Sequence, residues 1–367
     1  MSEFPTSTSN MTLDDASTLC EHCDWGFLVP AGEALPVCPH CQRAVLTLTA
    51  QLAAGAAAPE LAVPFSVTDV DLTANLQRFA SGFLFAPPDL TAGNLRSRLQ
   101  SLYLPRWLVD CDVQAEWRAE VGFNYQVVSH EDQYSDATRQ WQSREVRETR
   151  VRWETRVGRL VRRYENVVAP AMEEDEAVRQ RLGDFDLTPA APVAGRLPES
   201  ALIRTANRST EDAWSDAAPA IRQRAAAECG AACRAHHIRE FEWRPQFGNR
   251  QWTHLVLPVY ASYYADADGV VYPVFIHGQT GKVYGRKQAA FRPARNLTLA
   301  LGAAGLLILL ASLLLVLLEG FLVETGGALS GLGALGVLVA MALGIAAVLP
   351  VAYVWIFNRR QPPDPLL

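Results

Sequence analysis

The sequence predicts an α+β protein in three parts. These are a small cysteine-clamped ribbon, a central antiparallel-sheet α+β domain, and a C-terminal two-helix transmembrane hairpin. Three observations predict this. Two CxxC pairs, Cys20/Cys23 and Cys38/Cys41, flank fourteen residues near the start. Middle stretches alternate apolar and polar residues at period two, the pattern of half-buried strands. Two long charge-free runs close the chain.

The spacing C-x2-C-x14-C-x2-C suits a tetrahedral metal site, because each CxxC turns two thiolates toward one ion. Zinc is the expected ion, held by Cys20, Cys23, Cys38 and Cys41. Four thiolates leave no open position, so the expected role is structural. His22 and His40 are expected as exposed neighbours, not ligands. The intervening DWGFLVPAGEALPV is expected to form a β-hairpin. Residues 19–46 therefore read as a zinc ribbon, too small to hold a core without metal. Residues 1–18 read as a disordered tail. The Ala-rich residues 47–64 read as a linker that holds the ribbon apart. A thioredoxin-like site would instead show one CxxC beside a βαβ pattern.

Bulk composition narrows the function classes. The 367 residues carry a net charge of −6, which gives no general footprint for nucleic acid. Seven cysteines, four of them in CxxC pairs, fit a reducing compartment better than a secreted disulfide framework. The opening MSEFPTSTSNMTLDD has neither a basic nor an apolar signal region, so no secretory signal is expected.

Leu297 to Leu318 is free of charge, and as a helix it would extend about 33 Å, enough to cross a bilayer core. Leu329 to Phe357 is equally charge-free. A hairpin over 296–358 is expected, with spans near 297–318 and 329–357. Arg286, Lys287, Arg292 and Arg295 precede it, and Arg359 and Arg360 follow, whereas Glu319 and Glu324 lie between the spans. The positive-inside rule places both termini, with the tail 359–367, in the cytoplasm. A multi-pass protein of the inner membrane is expected. Gly327, Gly331, Gly336, Ala340 and Gly344 supply small residues at helical spacing. They suit packing within the hairpin, or self-association through the second span. Pro350 is expected to kink that span.

Residues 65–295 read as one cytoplasmic α+β domain. TDVDLTANLQRFASGFLF and PPDLTAGNLRSRLQSLYLP suggest two helices, the second ended by Pro105. RWLVDCDVQAEWRAEVGFNYQVV suggests paired strands. In the next stretch Val151, Trp153, Thr155, Val157, Arg159 and Val161 share a face, the expected buried one. Residues 173–198 read as loop with short helical pieces. STEDAWSDAAPAIRQRAAAECGAACRAHH is the strongest helix, with Trp214, Ile221, Ala225, Cys229 and Ala232 along an apolar stripe. Strands follow, and GQTGKVYG is expected to turn the last hairpin. YLPRW (103–107) and VLPVY (256–260) echo one another, a weak sign of duplication.

FAPPDL, YLPRWLVD, VVAPAM and LVLPVYASYYADADGVVYPVFIHGQTGKVYG, in this order, resemble a bacterial family of zinc-ribbon membrane proteins. Its ribbon is of the TFIIB type, and its members are often labelled primosomal protein N-prime (replication factor Y), superfamily II helicase-like. Arg106 stands where that family usually has an aromatic, and His277 where it has Asn. The resemblance implies a scaffold with membrane-stress partners of phage-shock-like or SPFH type. The helicase label fails on the residues. A phosphate cradle reads GxxxxGK[ST], yet Ile276 stands five before Gly281-Lys282 and Val283 follows.

Other candidates are weaker. Cys229, Cys233 and His236 share a helix face but make an incomplete metal set. His130, Glu131 and Asp132 read as a polar loop. Nine Arg from Arg139 to Arg163, with Trp141 and Trp153, could bind single-stranded nucleic acid or anionic lipid. Interspersed Glu145, Glu148 and Glu154 favour a solvated, ion-paired sheet face. A non-enzymatic membrane adaptor that recruits an unknown protein partner is the leading expectation. A membrane-tethered nucleic-acid binder is the alternative.

Overall fold

The computed structural model describes residues 15–30, 34–49, 58–135, 140–193, 197–198, 200–321 and 328–361. Strands β1 (Asp15–Leu19), β2 (Gly26–Pro30) and β3 (Thr47–Leu48) surround the two CxxC pairs. Strand β4 (Leu61–Ala62) leads to α1 (Asp69–Ala80) and α2 (Ala92–Ser97). Then come β5 (Gln100–Ser135), β6 (Gln140–Pro170) and α3 (Asp175–Leu182). Short strands β7 (Ala191–Pro192) and β8 (Leu202–Arg204) precede α4 (Thr210–Ala232). Strands β9 (His237–Ala265), β10 (Val271–His277) and β11 (Val283–Gly285) follow. Helices α5 (Phe291–Phe321) and α6 (Ala328–Arg360) close the chain.

All eleven strands join one sheet, ordered β11-β10-β9-β5-β8-β2-β1-β3, with β6 also on β5 and β4 between β7 and β9. Pairing is mostly antiparallel, but β5–β8 and β4–β9 run parallel. At 36 residues, β5 is several times the usual strand length, and it would extend about 120 Å. It forms an arm with β6 on one edge and β9 on the other. Beyond Gly122 only β5 and β6 continue, as a two-stranded ribbon.

Three bulges bend the arm, one on β6 and two on β9. Each bulged segment carries a non-glycine residue with positive φ: Asn166, Asn249 and Glu240. The sequence DCD holds two of them. Asp110 accepts from the Asn166 backbone N–H at 2.7 Å, and Asp112 accepts from the Asn249 side chain at 2.6 Å. Such bulges increase local twist and coil a long strand pair.

Helix α4 begins as its sequence indicates, with the Ser209 hydroxyl accepting from the Asp212 N–H. Its buried side carries Ala213, Ala217, Ile221, Ala225 and Cys229. Trp214 is only partly buried beside this core, and Ala232 is exposed, so neither belongs to the buried stripe. The helix packs on Cys111, Val113, Ala115, Ala119 and Val121 of β5. The register Ala115↔Leu160 then decides which side of β6 is covered. Leu160, Gly158 and Tyr164 face the helix side, whereas Val157 and Val161 are 73% and 66% exposed. The expected buried face of β6 is thus the open one. Gly158 serves the closed side, because a Cβ there would lie 2.9 Å from the Trp117 ring across the strand pair.

Other expectations are corrected. Pro105 does not end a helix: α2 stops at Ser97, and Pro105 lies in β5 opposite Val256. YLPRW and VLPVY are direct antiparallel partners, with Leu104 against Leu257. His130, Glu131 and Asp132 are strand residues opposite Glu145, Arg144 and Ser143. Of the expected tail, residues 15–18 belong to β1, and 1–14 lie outside the described residues. The expected linker contributes Thr47–Leu48 to β3 and Leu61–Ala62 to β4.

Helices α5 and α6 are each long and apolar enough to span a membrane. Most of their large side chains are exposed, as for Leu307, Leu338 and Ile345. A buried soluble helix would hide them. The pair is antiparallel and close. A Cβ on Gly336 would overlap the Ser312 hydroxyl, and one on Gly305 would meet the Ala340 carbonyl. Small residues of the second span therefore serve contact within the hairpin. Gly331 and Gly344 have open space where a Cβ would point. Gly327, Glu319 and Glu324 lie where no side chain is described.

Ile221→Ala should lower stability to urea by about 3 kcal/mol, because the cavity opens between α4 and β5. Hydrogen exchange should show the loss in α4 and the base of the arm, with the far ribbon unchanged.

Candidate metal centre and the core that holds it

Each CxxC forms the same turn. Asp24 N–H donates to the Cys20 carbonyl and Gln42 N–H to the Cys38 carbonyl, both at 2.9 Å. Asp24 and Gln42 both take positive φ, near 57° and 56°. The two knuckles face each other. Cys20 and Cys41 sulfurs are 3.6 Å apart, Cys23 and Cys38 sulfurs are 3.7 Å apart, and all four lie within 4.8 Å. A tetrahedron of sulfurs about 2.3 Å from a central ion has edges of roughly 3.8 Å. The observed edges fit that geometry, and the cysteines form no disulfide.

The contact with Cys38 holds the Cys23 thiol far below the ordinary range, despite burial. The same contact and burial push Cys38 up, and burial pushes Cys41 up. Four thiolates crowded in this pocket need a cation to coexist. Among the described residues, this is the one group of three or more Cys, His or carboxylate ligands whose atoms converge.

The cluster is not a module on a tether. Strand β2 pairs with β8, placing Phe27 opposite Arg204 and Leu28 opposite Ile203. Cys20, Cys38, Cys41, Trp25 and Phe27 share one core with Leu102, Leu104, Met172, Val259 and Phe275. DWGFLVPAGEALPV supplies one strand, β2, and its partners lie elsewhere, so no hairpin forms within it among the described residues. His22 is exposed as expected, 3.0 Å from Arg43. His40 is buried, its ring stacked 3.7 Å from Trp25.

The other face of Trp25 carries the Arg204 guanidinium at 3.5 Å. Arg204 is 3% exposed and pairs with Glu174 at 3.0 Å. Burial pushes the Glu174 carboxyl up, but Arg204 outweighs it by charge and hydrogen bonding and holds it below the usual range. The column His40–Trp25–Arg204–Glu174 thus ties the second knuckle to the start of α3.

Arg106 and His277 are both built into the packing. Arg106 pairs with Asp175 at 2.9 Å, both largely buried. His277 stacks 3.8 Å from Phe185, accepts from the Gln279 N–H, and lies 3.2 Å from the Asp184 carbonyl. Burial pushes its pKa down, which suits a neutral ring. Gly281-Lys282 sits at the β10–β11 turn, not at a strand-to-helix junction.

Cys229, Cys233 and His236 do not assemble a second site. Helix α4 ends at Ala232, and the His236 ring instead accepts from the Asn124 N–H. Burial pushes Cys229 up to about 11, so it is a neutral core thiol. In the Arg run, Arg147, Arg150, Arg152, Arg156, Arg159, Arg162 and Arg163 each pair with a carboxylate.

One feature gave no sequence signal. The foot of the hairpin docks on the loop after α1. Phe357 stacks 4.9 Å from Phe83, Tyr353 accepts from the Leu84 N–H, and Asn358 exchanges two hydrogen bonds with Ala289. Phe85, in that loop, holds a positive φ of 60°. Aromatics near a span end read as interface anchors, and only tertiary contact distinguishes docking from anchoring.

Arg204→Met should cost about 2–3 kcal/mol, because Glu174 is left partly buried without its partner. Glu174 is depressed when folded, so its pairing stabilises above about pH 4 and is lost as pH falls through the depressed value. Acid titration of unfolding should therefore show a smaller pH slope below pH 4 in Arg204→Met than in the unaltered chain.

The chain matches no family model, no curated protein and no solved structure, so its function is read from this geometry.

Proposed function

We propose that the chain is a membrane-anchored, non-enzymatic adaptor that holds one structural zinc and presents its β5–β6–β9 arm to a protein partner. The observation that carries this reading is the unbroken packed route from hairpin to arm. The foot of α6 docks on Phe83 and Ala289. The neighbouring α1 and α2 share a core with β9 and β10. Strand β9 then runs from that core along the arm. A partner bound on the arm is thereby held at a fixed place relative to the membrane.

Zinc is favoured because four thiolates in tetrahedral array select it or an iron–sulfur cluster, and one closed site suits the single ion. The flanking Arg and Lys residues favour cytoplasmic placement of both termini, at the inner membrane. Partners of phage-shock-like or SPFH type are the class that the family resemblance suggests. The nucleic-acid reading loses support from the carboxylates beside seven of the arm's arginines, since paired charge offers little to phosphates.

Purified full-length protein should carry one zinc per chain by elemental analysis, and Cys20→Ser with Cys38→Ser should reduce it to near zero. Iron with acid-labile sulfide would overturn the zinc assignment. For the adaptor role, a photo-crosslinking residue at Val157 should capture a discrete protein in intact membranes, while one at Val70 on α1 should not. Equal products at both positions, or salt-sensitive nucleic-acid binding by the purified chain, would overturn it.

A further inference from the structure

The chain contains only two lysines, Lys282 and Lys287. Both line one groove of about 520 Å³, together with Arg78, Asn75, Thr280 and Gln361. That volume suits a small-molecule headgroup. Three cations lie in its wall, with no carboxylate among the described lining residues. On the arm, by contrast, most arginines have a carboxylate beside them.

The groove lies at the foot of the hairpin. Gln361 follows directly on Arg360, the last residue of α6. Lys287 sits 5.0 Å from the Phe79 ring and 5.7 Å from Phe83, and Phe83 stacks on Phe357 of α6. The ammonium is thus held beside the span end by aromatic faces, half-buried and, among the described residues, with no carboxylate to offset its burial. Arg78 donates to Asn75 at 2.8 Å, which fixes its guanidinium at the rim. Cations at this level meet the headgroup phosphates of the adjoining leaflet.

We infer that this groove binds the phosphate of an anionic phospholipid headgroup, through Lys282, Lys287 and Arg78. The inference rests on the membrane reading above. The lipid is favoured over a soluble phosphate because the lysine, the aromatic wall and the end of α6 share one site.

The test uses full-length protein in vesicles of phosphatidylcholine with phosphatidylglycerol, and native mass spectrometry of the protein released from them. The protein should retain phosphatidylglycerol in preference to phosphatidylcholine. Lys282→Ala with Lys287→Ala should reduce that preference about 30-fold. Arg295→Ala with Arg360→Ala removes the same charge from exposed positions outside the groove and should change it little. Equal losses in the two double variants would overturn the groove in favour of diffuse attraction. Displacement of the lipid by millimolar inorganic phosphate would overturn the lipid as ligand. Unchanged zinc content and circular dichroism certify each variant's fold. Vesicle flotation separates the two readings: a chain that floats without lipid preference sinks this inference alone, and a chain that does not float sinks both.

Discussion

One face of β5 organises the molecule. Its alternating apolar residues, Cys111, Val113, Ala115, Ala119 and Val121, must be covered, and α4 covers them. Because β5 pairs on both edges, that single choice of face propagates to β6 and β9. Slipping the β5–β6 register by one residue would bring Val157 and Val161 to the helix side and expel Leu160. The observed register wins because Gly158 makes room for Trp117 on the covered side. The first residues of the same strand, Leu102 and Leu104, form part of the floor under the cysteine cluster. Cysteine cluster and arm are thus two ends of one strand's packing.

This integration changes what the metal site means physically. A free ribbon would gain nearly all its stability from its ion. Here the cluster shares apolar contacts with Met172, Val259 and Phe275, and Arg204 reaches in under Trp25. An ion bound there would close a core that other elements also support. Most surface ion pairs on the arm contribute little individually. They keep a long two-stranded ribbon soluble and discourage edge-to-edge association.

The hairpin is joined to the soluble region by more than chain continuity. Asn358 bonds to both backbone groups of Ala289, and Phe357 stacks on Phe83. Those contacts set the height of the groove that holds both lysines. They also make the apolar helix pair a packed base for the arm.

Features whose cause is local are legible in the sequence. Cysteine spacing dictates two facing knuckles, since each CxxC turn is made by its own backbone. Two uncharged runs dictate two apolar helices by length alone. The Ser209 cap and the apolar spacing dictate α4. The long-range packing settled which face of β6 is covered, because a charged strand alternating with valine leaves both faces open until its partner's register is set. It decided that Pro105 lies within a strand, since the long β5–β9 ladder on either side of it holds the strand despite the one donor that proline lacks. It also decided that the cluster joins the main sheet, because strand pairing between β2 and β8 depends on residues some 175 positions apart. Long-range pairing of this kind leaves no periodic mark in either segment.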